Sequence, residues 1–216
     1  MRKIVLAMMT TLNGRLDHPD VWMSGLDDKQ YADIRDAFLL FDTIVVGRVT
    51  FEEMAAYWPG AETDKDGSEI NRSMAQLMNA YKKLVVASTD EVDTSRWNNA
   101  EAISIKNDHD LIAFVDNLKA QSGKDIHVAG GARLAQTFVR LNLIDEYRFA
   151  TYPVVSPGAR WFDQVDEDRT LTRLASRSYD NGVTRFDFTP DRDSRPVAAE
   201  NFKQMIRGSG PPRDAR

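Results

Sequence analysis

The sequence predicts an α/β fold in three layers: a mixed, mainly parallel central sheet, helices on both of its faces, and antiparallel strands at the carboxyl-terminal end. Three observations carry this reading. Short β-branched apolar runs alternate with segments of helical periodicity up to about residue 141. Several of these runs pass into a helix through glycine or a hydroxyl residue. From Ile144 onward strand-like runs follow one another without helices, and two of them are joined by Asp180-Asn181-Gly182, a hairpin signal.

The first run, Lys3 to Thr11, suits a buried strand, and Asn13-Gly14 after it supplies residues that tolerate positive φ. From Asp27 to Phe41, Tyr31, Ile34, Phe38 and Phe41 recur at helical spacing, with Asp27 and Asp28 placed to favour the helix start. Thr43 to Gly47 reads as a fully buried strand, and Thr50-Phe-Glu-Glu53 matches a capping box for the next helix. Ile70, Met74, Leu77 and Tyr81 mark a helix, and Lys83 to Ala87 a strand ending in Ser88-Thr89. A strand near 102–106 and a helix with Leu111, Val115 and Leu118 on one face come next. Asp125 to Ala129 is then a strand, Gly130-Gly131 a turn, and Ala132 to Leu141 a helix with Leu134, Phe138 and Leu141 inward. The last strands are Glu146 to Pro153, about Thr170 to Tyr179, and Val183 to Phe188.

A chain of 216 residues suffices for one substantial core, so residues 1–189 read as one domain. Residues 190–216 are polar and proline-containing, a tail that is either disordered or docks on this chain or a neighbour through Phe202, Met205 and Ile206. The 28 basic residues against 33 acidic ones oppose phosphate backbones, so nucleic acid is not an expected partner. Without cysteine there is no disulfide framework and no thiolate site, and His18, His109 and His127 are too scattered for a metal centre. With no membrane-length apolar stretch and no cleavable leader, the expected location is cytoplasmic.

In an open α/β sheet, ligands bind beyond the carboxyl ends of the parallel strands. Three joins lie there in the predicted fold: Gly47-Arg48-Val49-Thr50, Ser88-Thr89 and Gly130-Gly131-Ala132. Adjacent glycines let a phosphate approach the amides of the following helix, although glycine at such a join also serves simply to make the turn. Arg48 and Thr50 offer a cation and a hydroxyl, or else a solvated side chain and a helix cap. Asp33 and Asp36 lie off the apolar stripe of their helix and are expected in solvent. His127, between apolar neighbours, reads as structural rather than catalytic, and His18 sits in a loop beside Pro19.

The order and spacing of several short motifs resemble one known family. They are Thr11-Leu12-Asn13-Gly14, Val45-Val46-Gly47-Arg48-Val49-Thr50-Phe51-Glu52, Met78-Asn79-Ala80-x-x-Lys83-x-Val85-Val86 and Trp97-Asn98-Asn99. To these are added Val128-Ala129-Gly130-Gly131-Ala132-x-Leu134 and Leu143-Ile144-Asp145-Glu146-Tyr147 followed by Pro153-Val154-Val155. Together they resemble the dihydrofolate reductase-like family, and within it the branch related to the reductase domain of bacterial riboflavin biosynthesis (the RibD C-terminal domain). The resemblance covers residues 2–189. It implies NADPH across the carboxyl edge of the sheet, with the diphosphate near Gly130, Gly131 and Ala132 and a second cofactor segment at Gly47, Arg48 and Thr50. Ser88 and Thr89 would approach the adenosine 2′-phosphate, and Arg48 and these hydroxyls favour NADPH over NADH. Thr11, Leu12, Asn13 and Gly14 would border the nicotinamide and the substrate.

The implied reaction is hydride transfer to a small heteroaromatic or carbonyl substrate, with 5-amino-6-(5-phosphoribosylamino)uracil reduction as the family reaction. Tyr31, Tyr57 and Trp58 are candidates for the wall of a substrate pocket, with an ordinary core role as the alternative, and Asp17 and Tyr31 are the candidates for proton delivery. The resemblance also implies a homodimer. An alternative function from another class is a non-catalytic nucleotide- or ligand-binding protein that keeps the fold.

Overall fold

A computed structural model of the chain describes residues 1–89 and 92–192. The chain runs β1 (Ile4–Thr11), α1 (Pro19–Trp22), α2 (Asp28–Phe38), β2 (Phe41–Gly47), α3 (Arg48–Ala61), α4 (Glu69–Ala80), β3 (Lys82–Ala87) and β4 (Ala100–Ser104). It continues with α5 (Asp108–Ala120), β5 (Asp125–Val128), α6 (Ala132–Arg140), β6 (Glu146–Tyr152), β7 (Thr170–Ser178) and β8 (Thr184–Asp191). All eight strands form one sheet in the order β4-β3-β2-β5-β1-β6-β8-β7. Pairings from β4 to β6 are parallel, and β8 pairs antiparallel with both β6 and β7.

The pleat of the buried strands divides the core into two layers. Val5, Ile44, Val46 and Ala129 point to the face covered by Phe51 and Ala55 of α3 and Met74 and Met78 of α4, with α2 packed alongside. Ile4, Leu6, Val45 and Val128 point to the opposite face, where Leu111, Val115 and Leu118 of α5 and Ala135, Phe138 and Val139 of α6 lie. The expected three layers are therefore present, with antiparallel strands at the carboxyl-terminal end. No helix among the described residues is long and apolar enough to cross a membrane.

Several local expectations change. The second helix ends at Phe38 rather than Phe41, because Phe41 is claimed by β2, where it is buried and pairs in register with Asp125. Its start is as expected: the Asp27 carboxylate accepts from the Gln30 amide. The Thr50–Glu53 capping box does not form, since the N-cap of α3 is Gly47, three residues earlier, and Thr50 is already inside the first turn. Among the described residues no helix lies between Ser88-Thr89 and β4, and the buried Trp97 anchors the approach to β4. Asp33 is not solvated but pairs with Arg177 of β7. β8 runs on through Pro190 and Asp191, whereas the docking segment around Phe202, Met205 and Ile206 lies outside the described residues.

One polar knot fixes the α4–β3 corner. The fully buried Lys83 donates from Nζ to the carbonyls of Asn79 (2.8 Å) and Tyr81 (2.9 Å), capping the end of α4, and lies 4.4 Å from the Trp97 ring centroid. Asn79 accepts from the Trp97 indole nitrogen (2.7 Å) and donates to Glu62 (2.7 Å). Replacing it removes the acceptor of a buried N–H, whose desolvation is then uncompensated. Asn79→Ala is expected to cost roughly 2–3 kcal/mol, read as a fall in the urea midpoint at unchanged m-value; a midpoint equal to that of the parent would contradict the knot.

His127 of β5 is buried between Phe41, stacked at 5.3 Å, and Phe38, edge-on at 4.9 Å, with Nδ1 unpartnered. Burial lowers its pKa from 6.5 to about 4. The unfolded chain takes up a proton first, so the stabilisation from this group is complete above pH 6.5 and is lost as pH falls toward 4. The loss amounts to about 3 kcal/mol over that window. Urea midpoints of His127→Leu, measured from pH 7.5 to 4.5, are expected to fall less steeply than those of the parent; parallel slopes would assign the pH dependence elsewhere.

Candidate functional site

Four neighbouring parallel strands, in the order β2-β5-β1-β6, bring their carboxyl ends side by side. The chain leaves β2 into α3 on one face of the sheet and leaves β5 into α6 on the other. Adjacent strands whose exits diverge in this way open a crevice between them.

Apart from the single-turn α1, which also lacks a side-chain cap, the helices that begin at this crevice differ from the others. Asp27, Ser68 and Asn107 cap α2, α4 and α5 with a side-chain acceptor, whereas α3 and α6 start on Gly47 and Gly131 with no side-chain cap. First-turn amides have no partner inside their own helix and carry partial positive charge, so both starts present donors to the crevice. The two are in contact: the Gly47 amide donates to the Gly130 carbonyl at 3.4 Å. Gly131, at φ 80°, leaves open the space beside Thr50, since a Cβ there would lie 3.3 Å from Thr50 Oγ1 and 3.9 Å from Gly47 Cα. A Cβ on Gly130 would lie 3.1 Å from the Met8 methyl of β1, so β1, β2 and β5 all border this floor.

Gly47, Thr50, Gly130, Gly131 and Ala132 are thus brought together. Arg48 stands at the same helix start, exposed, with Nη1 on Glu52 Oε1 at 2.9 Å; this carboxylate offsets part of its charge. Ser88 and Thr89 are exposed at the end of β3, one strand further out, and the Ser88 carbonyl accepts from Lys106 Nζ. They offer hydroxyls but no helix start.

On the other side, the loop after β1 is tied to the loop after β6. Asn13 Nδ2 donates to the Ser156 carbonyl (3.0 Å), while its Oδ1 accepts from the Ser156 amide (3.1 Å) and the Thr11 hydroxyl (2.7 Å). The Thr11 hydroxyl in turn accepts from the Arg15 amide, and Gly14 makes the turn with its carbonyl on Trp161. Asn13 therefore shapes the rim from within. Arg15, nearly buried, is held by Asp17 (2.8 Å) and the Ser156 hydroxyl (2.7 Å). Gly158 lies so close to this pair that a Cβ would collide with both partners. Leu12 and Val155 stand 68% and 72% exposed on the rim, an apolar surface beside the polar crevice.

The proton-delivery candidates are placed less favourably. Burial pushes the Asp17 carboxyl up, but the hydrogen bond and charge of Arg15 outweigh this and hold it below the usual carboxylate range. Tyr31 donates to Asn71 Oδ1 at 2.7 Å, and Tyr57 shares that acceptor at 3.1 Å. Burial, then the neighbouring Tyr57, pushes the Tyr31 hydroxyl up to about 12. Trp58 packs into the core and meets Tyr57 edge-on at 5.0 Å, so these aromatics join α2, α3 and α4. His18 is exposed and precedes α1.

Sequence reasoning passed over Arg15, Asn71, Ser156 and Gly158. Only Ser156-Pro157-Gly158 left a signal, a turn directly after a strand.

Against known proteins, the family model described as RibD C-terminal domain matches residues 2–184. Uncharacterized protein YyaP of Bacillus subtilis (strain 168) is 32% identical over 189 residues, covering 85% of this chain and 93% of that protein. Among solved structures, a pyrimidine reductase-like protein from Corynebacterium diphtheriae superposes with a TM-score of 0.57 at 15% identity, covering 89% of this chain and 93% of that one. A diaminohydroxyphosphoribosylaminopyrimidine deaminase/5-amino-6-(5-phosphoribosylamino)uracil reductase from Thermotoga maritima gives 0.59 at 14% identity; 88% of this chain matches 56% of that longer one. The architecture is dihydrofolate reductase-like, and from the match along nearly its whole folded length the chain belongs to the RibD C-terminal domain family.

Proposed function

We propose that this protein is an NADPH-dependent reductase acting on a small heteroaromatic or carbonyl substrate, of the 5-amino-6-(5-phosphoribosylamino)uracil reductase type. The observation that carries it is the meeting of two glycine-capped helix starts between β2 and β5. The residues fit a dinucleotide: the space beside Gly131 that a side chain would fill lies against Thr50 and Gly47, where the amides of α3 and α6 suit a diphosphate. Arg48, Thr50, Ser88 and Thr89 would hold the adenosine end. When bound, the reduced nicotinamide supplies a hydride to the substrate carbon.

The chain's own part in this reading is positioning and exclusion of water. The clamp of Asn13 on Ser156 and the Arg15–Asp17 pair fix the rim, while Leu12 and Val155 offer an apolar cover for a planar ring. One observation favours a second reading, a ligand-binding protein without turnover. Asp17 is held low and Tyr31 high, so neither is a ready acid at neutral pH.

Fluorescence titration with NADPH and NADH tests the first reading. Saturable binding is expected, tighter for NADPH. Gly131→Asp, which sets a negative charge among the amides, is expected to weaken it by about tenfold or more. A folded Gly131→Asp variant with unchanged affinity would move the diphosphate elsewhere. Oxidation of NADPH with pterins, aminouracils and simple carbonyls then separates the readings: binding without turnover on any of them favours the second. The same proposal takes the protein as a cytoplasmic homodimer. Light scattering is expected to give twice the chain mass, and the mass of a single chain would remove that part.

A further inference from the structure

A cavity of about 410 Å³ lies away from the crevice, between α2 and the antiparallel strands. Arg148 of β6 forms part of its wall, with a side chain only 10% exposed. Its Nε donates to Glu146 Oε1 at 2.6 Å, and its guanidinium carbon lies 5.8 Å from the Phe41 ring centroid. Among the described residues neither of its terminal amines has a hydrogen-bond acceptor. The acceptor placed for it by the sheet register is Asp187 of β8, directly opposite. Both oxygens of Asp187 are instead taken by Arg185, each at 2.8 Å. Arg177 and Arg185 face each other across β7 and β8, an unfavourable like-charge pair, and Arg177 is held by Asp33. The two terminal donors of this largely buried guanidinium therefore open onto the cavity without a protein acceptor among the described residues.

We propose that this cavity is a second binding site, for a small organic monocarboxylate held by the Arg148 fork. A planar carboxylate matches the fork with two parallel hydrogen bonds. Ala37, Leu40 and Ala175 offer a partly apolar wall to the body of such a ligand. Asp33 and Asp187 on the same walls oppose a dianion, which favours a monocarboxylate over phosphate.

Benzoate is the probe, titrated into the full chain by calorimetry and by the ¹⁵N–¹H signal of Arg148 Nε. Saturable binding that shifts this signal is expected. Arg148→Lys should weaken it by about tenfold, Arg148→Met should abolish it, and Gly131→Asp, in the other site, should leave it unchanged. Should Arg148→Met fail to fold, Ala175→Glu decides, because it places a carboxylate within the cavity from an exposed position and should also abolish binding. Absence of saturable binding up to about 10 mM, binding that survives loss of the Arg148 fork or the filled cavity, loss of binding in Gly131→Asp, or tighter binding of inorganic phosphate would each overturn the proposal.

Discussion

β5 is only four residues long, yet it pairs in parallel with β1 on one side and β2 on the other. Its insertion there governs much of the rest. Ile126, His127 and Val128 are buried, so the strand must serve both core layers at once. The chain that leaves it must turn toward α6 while its neighbour β2 turns the opposite way into α3. The crevice follows from that divergence. Gly130 and Gly131 suit this exit because both take positive φ, 97° and 80°, and a Cβ there would lie 3.1 Å from Met8 and 3.3 Å from Thr50 respectively.

The same constraint accounts for what the sequence discloses. Strand and helix types were legible because their periodicities serve one buried face or two, and the glycine joins were legible because they interrupt those periods. The third join was not. Ser88-Thr89 looks like a helix start locally, but among the described residues the next to be buried is Trp97, ahead of the partly exposed β4, so packing rather than capping chemistry sets the route. The helix of Tyr31 and Phe38 extended to Phe41 on paper because 38 and 41 share a helical spacing; pairing with β5 outweighs that spacing. Thr50 and Glu53 have the composition of a capping box and none of its geometry, since the start is set by Gly47, three residues before Thr50.

The motifs that carried the family resemblance divide into two kinds. Val45 to Glu52 and Val128 to Leu134 build the crevice itself. Met78 to Val86 and Trp97 to Asn99 do not reach it; they form the knot of Asn79, Lys83 and Trp97 that closes α4 onto β3. Thr11 to Gly14 is intermediate, because Asn13 spends its amide on Ser156 and so determines the rim's shape rather than offering itself to a ligand. A motif's recurrence within a resemblance therefore says nothing by itself about contact with a ligand. Side-chain partners such as Ser156 for Asn13 and Asn71 for Tyr31 are set by strand register and loop packing over separations that local sequence does not encode.

Under the proposed function, the amides at two helix starts without side-chain caps, made contiguous by β5, form the dinucleotide site. Backbone amide shifts recorded by ¹⁵N–¹H correlation while NADPH is added test it most directly. The largest changes are expected at Gly47 to Thr50 and at Gly130 to Arg133, with the side-chain-capped starts of α4 and α5 unmoved. Changes concentrated at those capped starts or around Arg148, with the two glycine joins silent, would contradict it.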